Sequence, residues 1–213
     1  MKQEVTYNGL TFEPYISKKS INFAFKFILS KNPMKTITLK DKTFGISIPE
    51  GQLFAAIDKV ADKMNADLNG KNPLFIIVLN GAFMFASDLF RAVDMDAEIS
   101  FIRLQSYQGV GSTGVVKEVI GLTENIEGRT VIVVEDIVDT GVTMAKLVKD
   151  LEAKNPASVK VATMLYKPDS VQCDLKLDYV GFPIPSKFIV GYGLDLDGLA
   201  RNLPDIYSLK QDK

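Results

Sequence analysis

Histidine and tryptophan are absent from the 213-residue chain, and cysteine occurs once, at Cys173. Without histidine there is no Ser-His-Asp triad, no Cys-His pair, no histidine metal cage and no imidazole pH switch. A single cysteine forbids an internal disulfide and a thiolate zinc cluster, and it suits a reducing compartment, so a cytoplasmic location is expected. No stretch reaches the ~18 consecutive apolar residues of a spanning helix, so no membrane insertion is expected. The most apolar N-terminal stretch, INFAFKFIL at 21–29, is interrupted by Asn22 and Lys26 and lacks a small-residue cleavage site before Pro33, which argues against a signal peptide. Lys and Arg total 25 against 26 Asp and Glu, so no basic excess is available to hold a nucleic acid.

What remains is an ordinary globular composition, 46% apolar and 24% charged, at a length suited to one domain. Met34 is followed directly by KTITLKDKTFGISI, a plausible domain start, so residues 1–33 read as an N-terminal extension from an upstream start and residues 34–213 as the functional domain. Residues 57–68 carry Ile57, Val60, Ala61, Met64 and Leu68 at helical spacing before NGKNP breaks the pattern. LFIIVL at 74–79 is a continuous apolar run, as expected of a strand buried on both faces of a parallel sheet. Helix is expected over 82–93 and 144–151, and strand over 98–104, 131–134 and 159–166. The alternation predicts an α/β fold: an open, mostly parallel sheet with helices on both faces.

In such sheets, ligands bind at the loops that follow the strands. The most informative loop is VIVVEDIVDTGVT at 131–143: four apolar residues form a buried strand, Glu135 and Asp136 sit at its tip, and Asp139-Thr140-Gly141-Val142-Thr143 turns into a helix. Asp139 and Thr140 suit helix capping by type and position. Adjacent carboxylates repel each other unless a metal, another cation or hydroxyl groups compensate, so Glu135 and Asp136 read as ligand contacts. Thr140 to Thr143 offer two hydroxyls and successive backbone amides at a helix N-terminus, a pocket for one phosphate group. The GxxxxGK[ST] lysine is missing, so this is not a Walker A loop. One phosphate with vicinal hydroxyls a sugar's width away describes a ribose 5-phosphate.

This segment resembles the 13-residue phosphoribosyl-pyrophosphate signature of type I phosphoribosyltransferases, and the resemblance narrows to the hypoxanthine-guanine phosphoribosyltransferases over most of residues 34–213. VLNGAFMFASDL at 78–89 is similar to the family's pyrophosphate loop and its helix, with Asn80 where the family often has lysine. Ser106 and Tyr107, in QSYQGVGSTGVVK, are similar to the Ser-Tyr pair of the mobile lid, with Gly109, Gly111 and Gly114 as hinges. Lys167 in MLYKP, then VGFPIPSKFIVGYGLD at 180–195 and Arg201, are similar to the purine-binding and C-terminal segments.

The resemblance implies the family fold, with a small hood built from chain-terminal segments, and a purine-salvage activity that transfers phosphoribosyl to a 6-oxopurine with Mg²⁺. It implies these roles: Glu135 and Asp136 on the ribose and metal; Thr140, Gly141, Val142 and Thr143 on the 5-phosphate; Asn80, Gly81 and Arg201 on pyrophosphate; and Asp195 on a second Mg²⁺. Asp139 would take or share a purine proton, Phe188 would stack on the base, Lys167 would donate to O6, and the Ile189 carbonyl would accept from N1. A cis peptide at Leu79–Asn80 and a homodimer or homotetramer are also implied. A phosphoribosyl-pyrophosphate-sensing regulator is the reading from another class, and it lacks a helix-turn-helix signal or basic tract here. A different base preference within the same enzyme class is a further alternative.

Overall fold

A computed structural model describes residues 5–7, 10–12, 36–106 and 116–210, with backbone alone for 5–7, 10–12, 105, 106 and 116–119. The chain forms two compact units, Met1–Lys35 and Thr36–Lys213. In the first, β1 (Val5–Tyr7) pairs antiparallel with β2 (Leu10–Phe12).

The second unit opens with β3 (Thr36–Leu39) and β4 (Lys42–Ile48), followed by α1 (Glu50–Leu68), β5 (Leu74–Leu79) and α2 (Phe83–Ala92). Then come β6 (Glu98–Ser106), β7 (Val116–Ile120), β8 (Thr130–Val138), α3 (Val142–Glu152) and β9 (Ser158–Tyr166). A single 3-10 turn (Pro168–Ser170), β10 (Tyr179–Pro183), β11 (Ile189–Val190) and β12 (Ile206–Leu209) complete it. The main sheet has the order β10-β9-β8-β5-β6-β7, parallel except for the antiparallel edge strand β7.

The apolar runs in β5 and β8 are explained by their central position. Phe75, Ile77, Ile132 and Val134 pack on one face with the buried stripe Leu53, Ala56, Ile57, Val60, Ala61, Met64 and Leu68 of α1 and with Phe85 and Leu89 of α2. Leu74, Ile76, Val78, Val131 and Val133 pack on the other face with Met144, Leu147 and Leu151 of α3. From β5 the chain runs outward to β6, and from β8 it runs the opposite way to β9. With right-handed crossovers, opposite directions put α2 and α3 on opposite faces and open a crevice between the C-terminal ends of β5 and β8.

The expected hood is a separate antiparallel sheet, β11-β12-β4-β3, made from both ends of the second unit. Its own core is Phe44, Val190, Ala200 and Tyr207. Two expectations need correction. The first helix begins at Glu50, one turn and more before 57, because its first amide is satisfied from outside: Glu50 N–H donates to Asp205 Oδ1 at 2.8 Å, and Pro49 at the N-cap has no side chain to do so. The strand expected over 131–134 runs from Thr130 to Val138, because pairing with β9 continues through Val138 opposite Tyr166. Glu135 and Asp136 therefore lie within β8 and not at its tip.

Candidate active site

The crevice between β5 and β8 holds a cavity of about 290 Å³ lined by Val78, by Leu104 and by the 135–144 segment. Its lower wall is the carboxylate pair. Asp136 Oδ1 accepts the Ile137 amide at 2.8 Å, and Glu135 Oε1 accepts the Asp136 amide at 3.1 Å. Burial, and then the charge of Asp136, push the Glu135 carboxyl well above the ordinary carboxylate range. Burial also raises Asp136, against the opposing pull of hydrogen bonds and of the Arg201 charge. A pair in this condition holds a proton, a cation or hydroxyl donors more readily than free carboxylates do.

The loop after β8 rises to the mouth of the cavity. Gly141 is the N-cap of α3, with a φ of +78° and no side-chain cap. A Cβ there would stand 3.1 Å from Cys173 Sγ, so glycine meets both the backbone angle and the space. The helix-capping reading of Asp139 and Thr140 is thereby overturned: neither caps α3, and its first amides carry no side-chain partner. With the positive end of the helix dipole, the turn from Thr140 to Thr143 is chemically suited to receive an anion. Val142 is exposed, and Thr140 and Thr143 border the cavity.

Asp139 turns instead to Lys167, whose Nζ lies 2.6 Å from Asp139 Oδ2. The Lys167 side chain is 12% exposed, so it is not the solvated surface charge that lysine after a strand usually is. The Lys167 amide donates to the Val138 carbonyl at 3.0 Å, which fixes the start of its side chain beside the loop. The segment carrying Phe188 is held to the same place. The Ile184 amide donates to the Tyr166 carbonyl at 2.8 Å, and the Ser170 and Ser186 hydroxyls are hydrogen-bonded. Phe188 is 46% exposed and tilted on Phe44, a free aromatic face, whereas Ile189 is buried in β11.

On the opposite wall, the Leu79–Asn80 peptide is cis, as the resemblance implied. Gly81 makes the closest approach: a Cβ there would fall 1.6 Å from Asp136 Oδ2, so the loop after β5 and the carboxylate pair are in direct contact. Gly193, not singled out from the sequence, repeats this device, since its Cβ would fall 2.1 Å from the Gly81 carbonyl oxygen. A signal was present in the Gly-Tyr-Gly run at 191–193, which suggests close backbone approach. Arg201 Nη2 pairs with Asp195 Oδ1 at 2.6 Å, and Arg201 Nη1 donates to the Gly193 carbonyl at 2.6 Å. Asp195 Oδ2 accepts the Gly198 amide at 2.6 Å. Asn80, Gly81, Asp136, Gly193, Asp195 and Arg201 thus form one contiguous wall. Tyr107 and the lid glycines lie outside the described residues, and Ser106 is described only by its backbone, paired with Val116 at the end of β6.

Among the described residues no group of three or more acidic, cysteine or histidine side chains forms a closed metal cage. The donors present are hard carboxylate oxygens, in pairs and singly. That set suits a cation that keeps water and shares ligand oxygens with a bound phosphate.

A family model for the phosphoribosyl transferase domain matches residues 49–197. The hypoxanthine-guanine phosphoribosyltransferase of Mycobacterium tuberculosis (strain H37Rv) is 39% identical over 165 residues, covering 74% of this chain and 82% of that protein. The bifunctional protein TilS/HprT of Listeria monocytogenes (serotype 4b, strain F2365) is 40% identical over 168 residues, 78% of this chain, and this chain spans only 26% of its length. The crystal structure of a hypoxanthine-guanine phosphoribosyltransferase from Bacillus anthracis superposes with a TM-score of 0.73 at 40% identity, covering 78% of this chain and 96% of that one. Sequence and fold agree over the same three quarters of the molecule, and the chain belongs to the hypoxanthine-guanine phosphoribosyltransferase family.

Proposed function

We propose that this chain transfers the 5-phosphoribosyl group of phosphoribosyl pyrophosphate to N9 of hypoxanthine or guanine, giving IMP or GMP and pyrophosphate, in purine salvage. The observation that carries this reading is the meeting, in one crevice, of the uncapped α3 N-terminus, the Glu135–Asp136 pair and the Lys167–Asp139 pair. The first suits the 5-phosphate, the second the ribose hydroxyls, and the third a purine with an acceptor at position 6.

In the reaction the C1–O bond to pyrophosphate breaks and the C1–N9 bond forms, through a transition state with positive charge on the sugar. Glu135 and Asp136, once ribose hydroxyls or a cation compensate their burial, would offset that charge. Glu135 and Asp136 would hold one Mg²⁺ and Asp195 a second, which would supply charge neutralisation for the leaving pyrophosphate. Arg201 and the amides of the 80–81 loop would bind that pyrophosphate. Asp139 would accept or share the purine proton at N7 as N9 attacks; with no histidine in the chain, a carboxylate suits this task. Lys167 would donate to O6, Phe188 would stack on the ring, and the Ile189 carbonyl would accept from N1–H. Adenine offers a donor at position 6 and no proton at N1, leaving both protein groups unpaired.

The region matched by the family model and the compact unit Thr36–Lys213 support residues 34–213 as the functional domain, with residues 1–33 dispensable for turnover. A homodimer or homotetramer belongs to the same reading, supported by the exposed Ile99 and Phe101 on β6. So does a cytoplasmic setting; no helix among the described residues is long and apolar enough to cross a membrane. The test is an assay of Mg²⁺-dependent nucleotide formation with hypoxanthine, guanine, xanthine and adenine. Activity with the first two and little with adenine is expected. Equal rates with adenine, or none with any base, would sink the proposal.

A further inference from the structure

The wall that faces the leaving group is assembled from two parts of the fold that share no strand: the 79–83 loop after β5, and the 191–201 loop that leads from β11 toward β12. Their contact is backbone against backbone, Gly193 on the Gly81 carbonyl, with no side chain between them to absorb a displacement. Something must hold the second loop in that position, and the hydrogen bonds trace what does. Tyr192 Oη donates to Asp88 Oδ2 at 2.6 Å. The Tyr192 amide donates to Leu203, the Gly193 amide to the Arg201 carbonyl, and Arg201 Nη1 returns to the Gly193 carbonyl.

Asp88 stands on α2, the helix that begins two residues after Gly81, and the Ala82 amide bonds back to the Val78 carbonyl and the Ala86 amide to the Ala82 carbonyl. Asp88 therefore moves as one body with the 79–83 loop. Tyr192 is 3% exposed and holds a left-handed backbone with a φ of +49°, next to Gly193 at +97°. The chain direction at Gly193 is thus tied to where the Tyr192 ring is anchored.

Resting on the functional reading above, we propose that the Tyr192–Asp88 hydrogen bond is a positioning device. It locks the Asp195–Arg201 loop against the 79–83 loop and so sets the site for the pyrophosphate of the donor, without either residue touching substrate. A phenol donating to a carboxylate makes one of the stronger hydrogen bonds. Burial, and then that bond and the charge of Asp88, keep the Tyr192 hydroxyl protonated across the working pH range, so the donor is always present.

The test uses the full chain and initial rates with each substrate varied at saturation of the other. Tyr192→Phe and Asp88→Ala should each raise the KM for phosphoribosyl pyrophosphate about tenfold, the lower end of what such a bond contributes, and leave the KM for hypoxanthine within about twofold. The double variant should be no worse than the worse single one. Asp88→Asn, which keeps an acceptor oxygen for Tyr192, should recover most of the affinity, and Asp88→Leu should not. If Tyr192→Phe fails to fold, the Asn and Leu variants at position 88 decide by the same criterion. An unchanged donor KM in both single variants, additive losses, or equal rises in both KM values alongside a lowered melting temperature would overturn the proposal. Absence of transfer by the unaltered chain would overturn the functional reading and this inference with it. Turnover by the unaltered chain together with variants that keep its donor KM would overturn this inference alone.

Discussion

The two sides of the crevice are built in opposite ways. The side proposed for the sugar phosphate, from Glu135 to Thr143, is one continuous strand, loop and helix start, and its chemistry comes from neighbours in sequence. The side proposed for the base and the leaving group draws Lys167 from the end of β9, Phe188 and Ile189 from the edge of the hood, and Asp195 and Arg201 from the loop between β11 and β12. Contacts made by neighbours in the chain depend on local backbone preference. Contacts made by distant segments depend on how two sheets pack, so a distant change can disturb them. The contrast predicts that substitutions in the first region act through the altered side chain itself, whereas the second region also responds to substitutions that touch no substrate.

The largest effect should come from Asp139→Asn, where the two regions meet. Loss of the base should lower kcat about a hundredfold or more while the donor KM stays within about threefold. Single-turnover rates check this, and an unchanged kcat would reduce Asp139 to a counter-ion for Lys167. Next, Gly81→Ala puts a methyl group 1.6 Å from Asp136 Oδ2 and forces the two walls apart. Strain of about 1–3 kcal/mol should cost roughly tenfold to a hundredfold in kcat/KM, with kcat and both KM values affected.

Lys167→Ala removes a donor that matches O6, which should cost about tenfold to a hundredfold in kcat/KM for hypoxanthine and guanine and little for adenine. Equal proportional losses for oxo and amino purines would show that Lys167 serves Asp139 or the donor and not the base. The smallest effect concerns the junction of α1 with the hood. Burial, and then the charges of Asp205 and Asp88, raise the Glu50 carboxyl above its ordinary value. The folded protein then binds the proton more tightly than the unfolded chain, so this group's contribution is full below about pH 4.5 and is lost as pH rises through the raised value. Glu50→Gln should therefore raise the melting temperature slightly at neutral pH, and the gain should vanish in acid. A gain independent of pH would refute the electrostatic account.

Legibility in the sequence followed the same division. LFIIVL at 74–79 was recovered with its bounds intact, because a strand buried on both faces must be apolar throughout. The start of α1 is not legible locally, because the group that accepts its first amide, Asp205, lies 155 residues away. β11 and β12 are only 2 and 4 residues long and carry too little pattern to be seen. Strand β8 is longer than its apolar run, because the carboxylates that end the run do not end the backbone ladder with β9. The resemblance implies separate roles toward the purine for Asp139 and Lys167, and nothing in the spacing of 28 residues between them announces the ion pair that joins them.

By itself, the sequence determined the alternating α/β plan, the turn from β8 into α3 and the exclusion of histidine chemistry, because composition, periodicity and the backbone needs of a helix N-terminus are written in adjacent residues. Only the tertiary structure decided that the Asp136 carboxylate rests on Gly81, that Gly193 packs on the Gly81 carbonyl, and that Tyr192 donates to Asp88. The first two contacts need glycine because a Cβ would meet a carboxylate at Gly81 and a backbone carbonyl at Gly193, where the two loops converge. The convergence arises from the reversal of direction between β5 and β8 and from the packing of the hood loop across it, which no local pattern encodes.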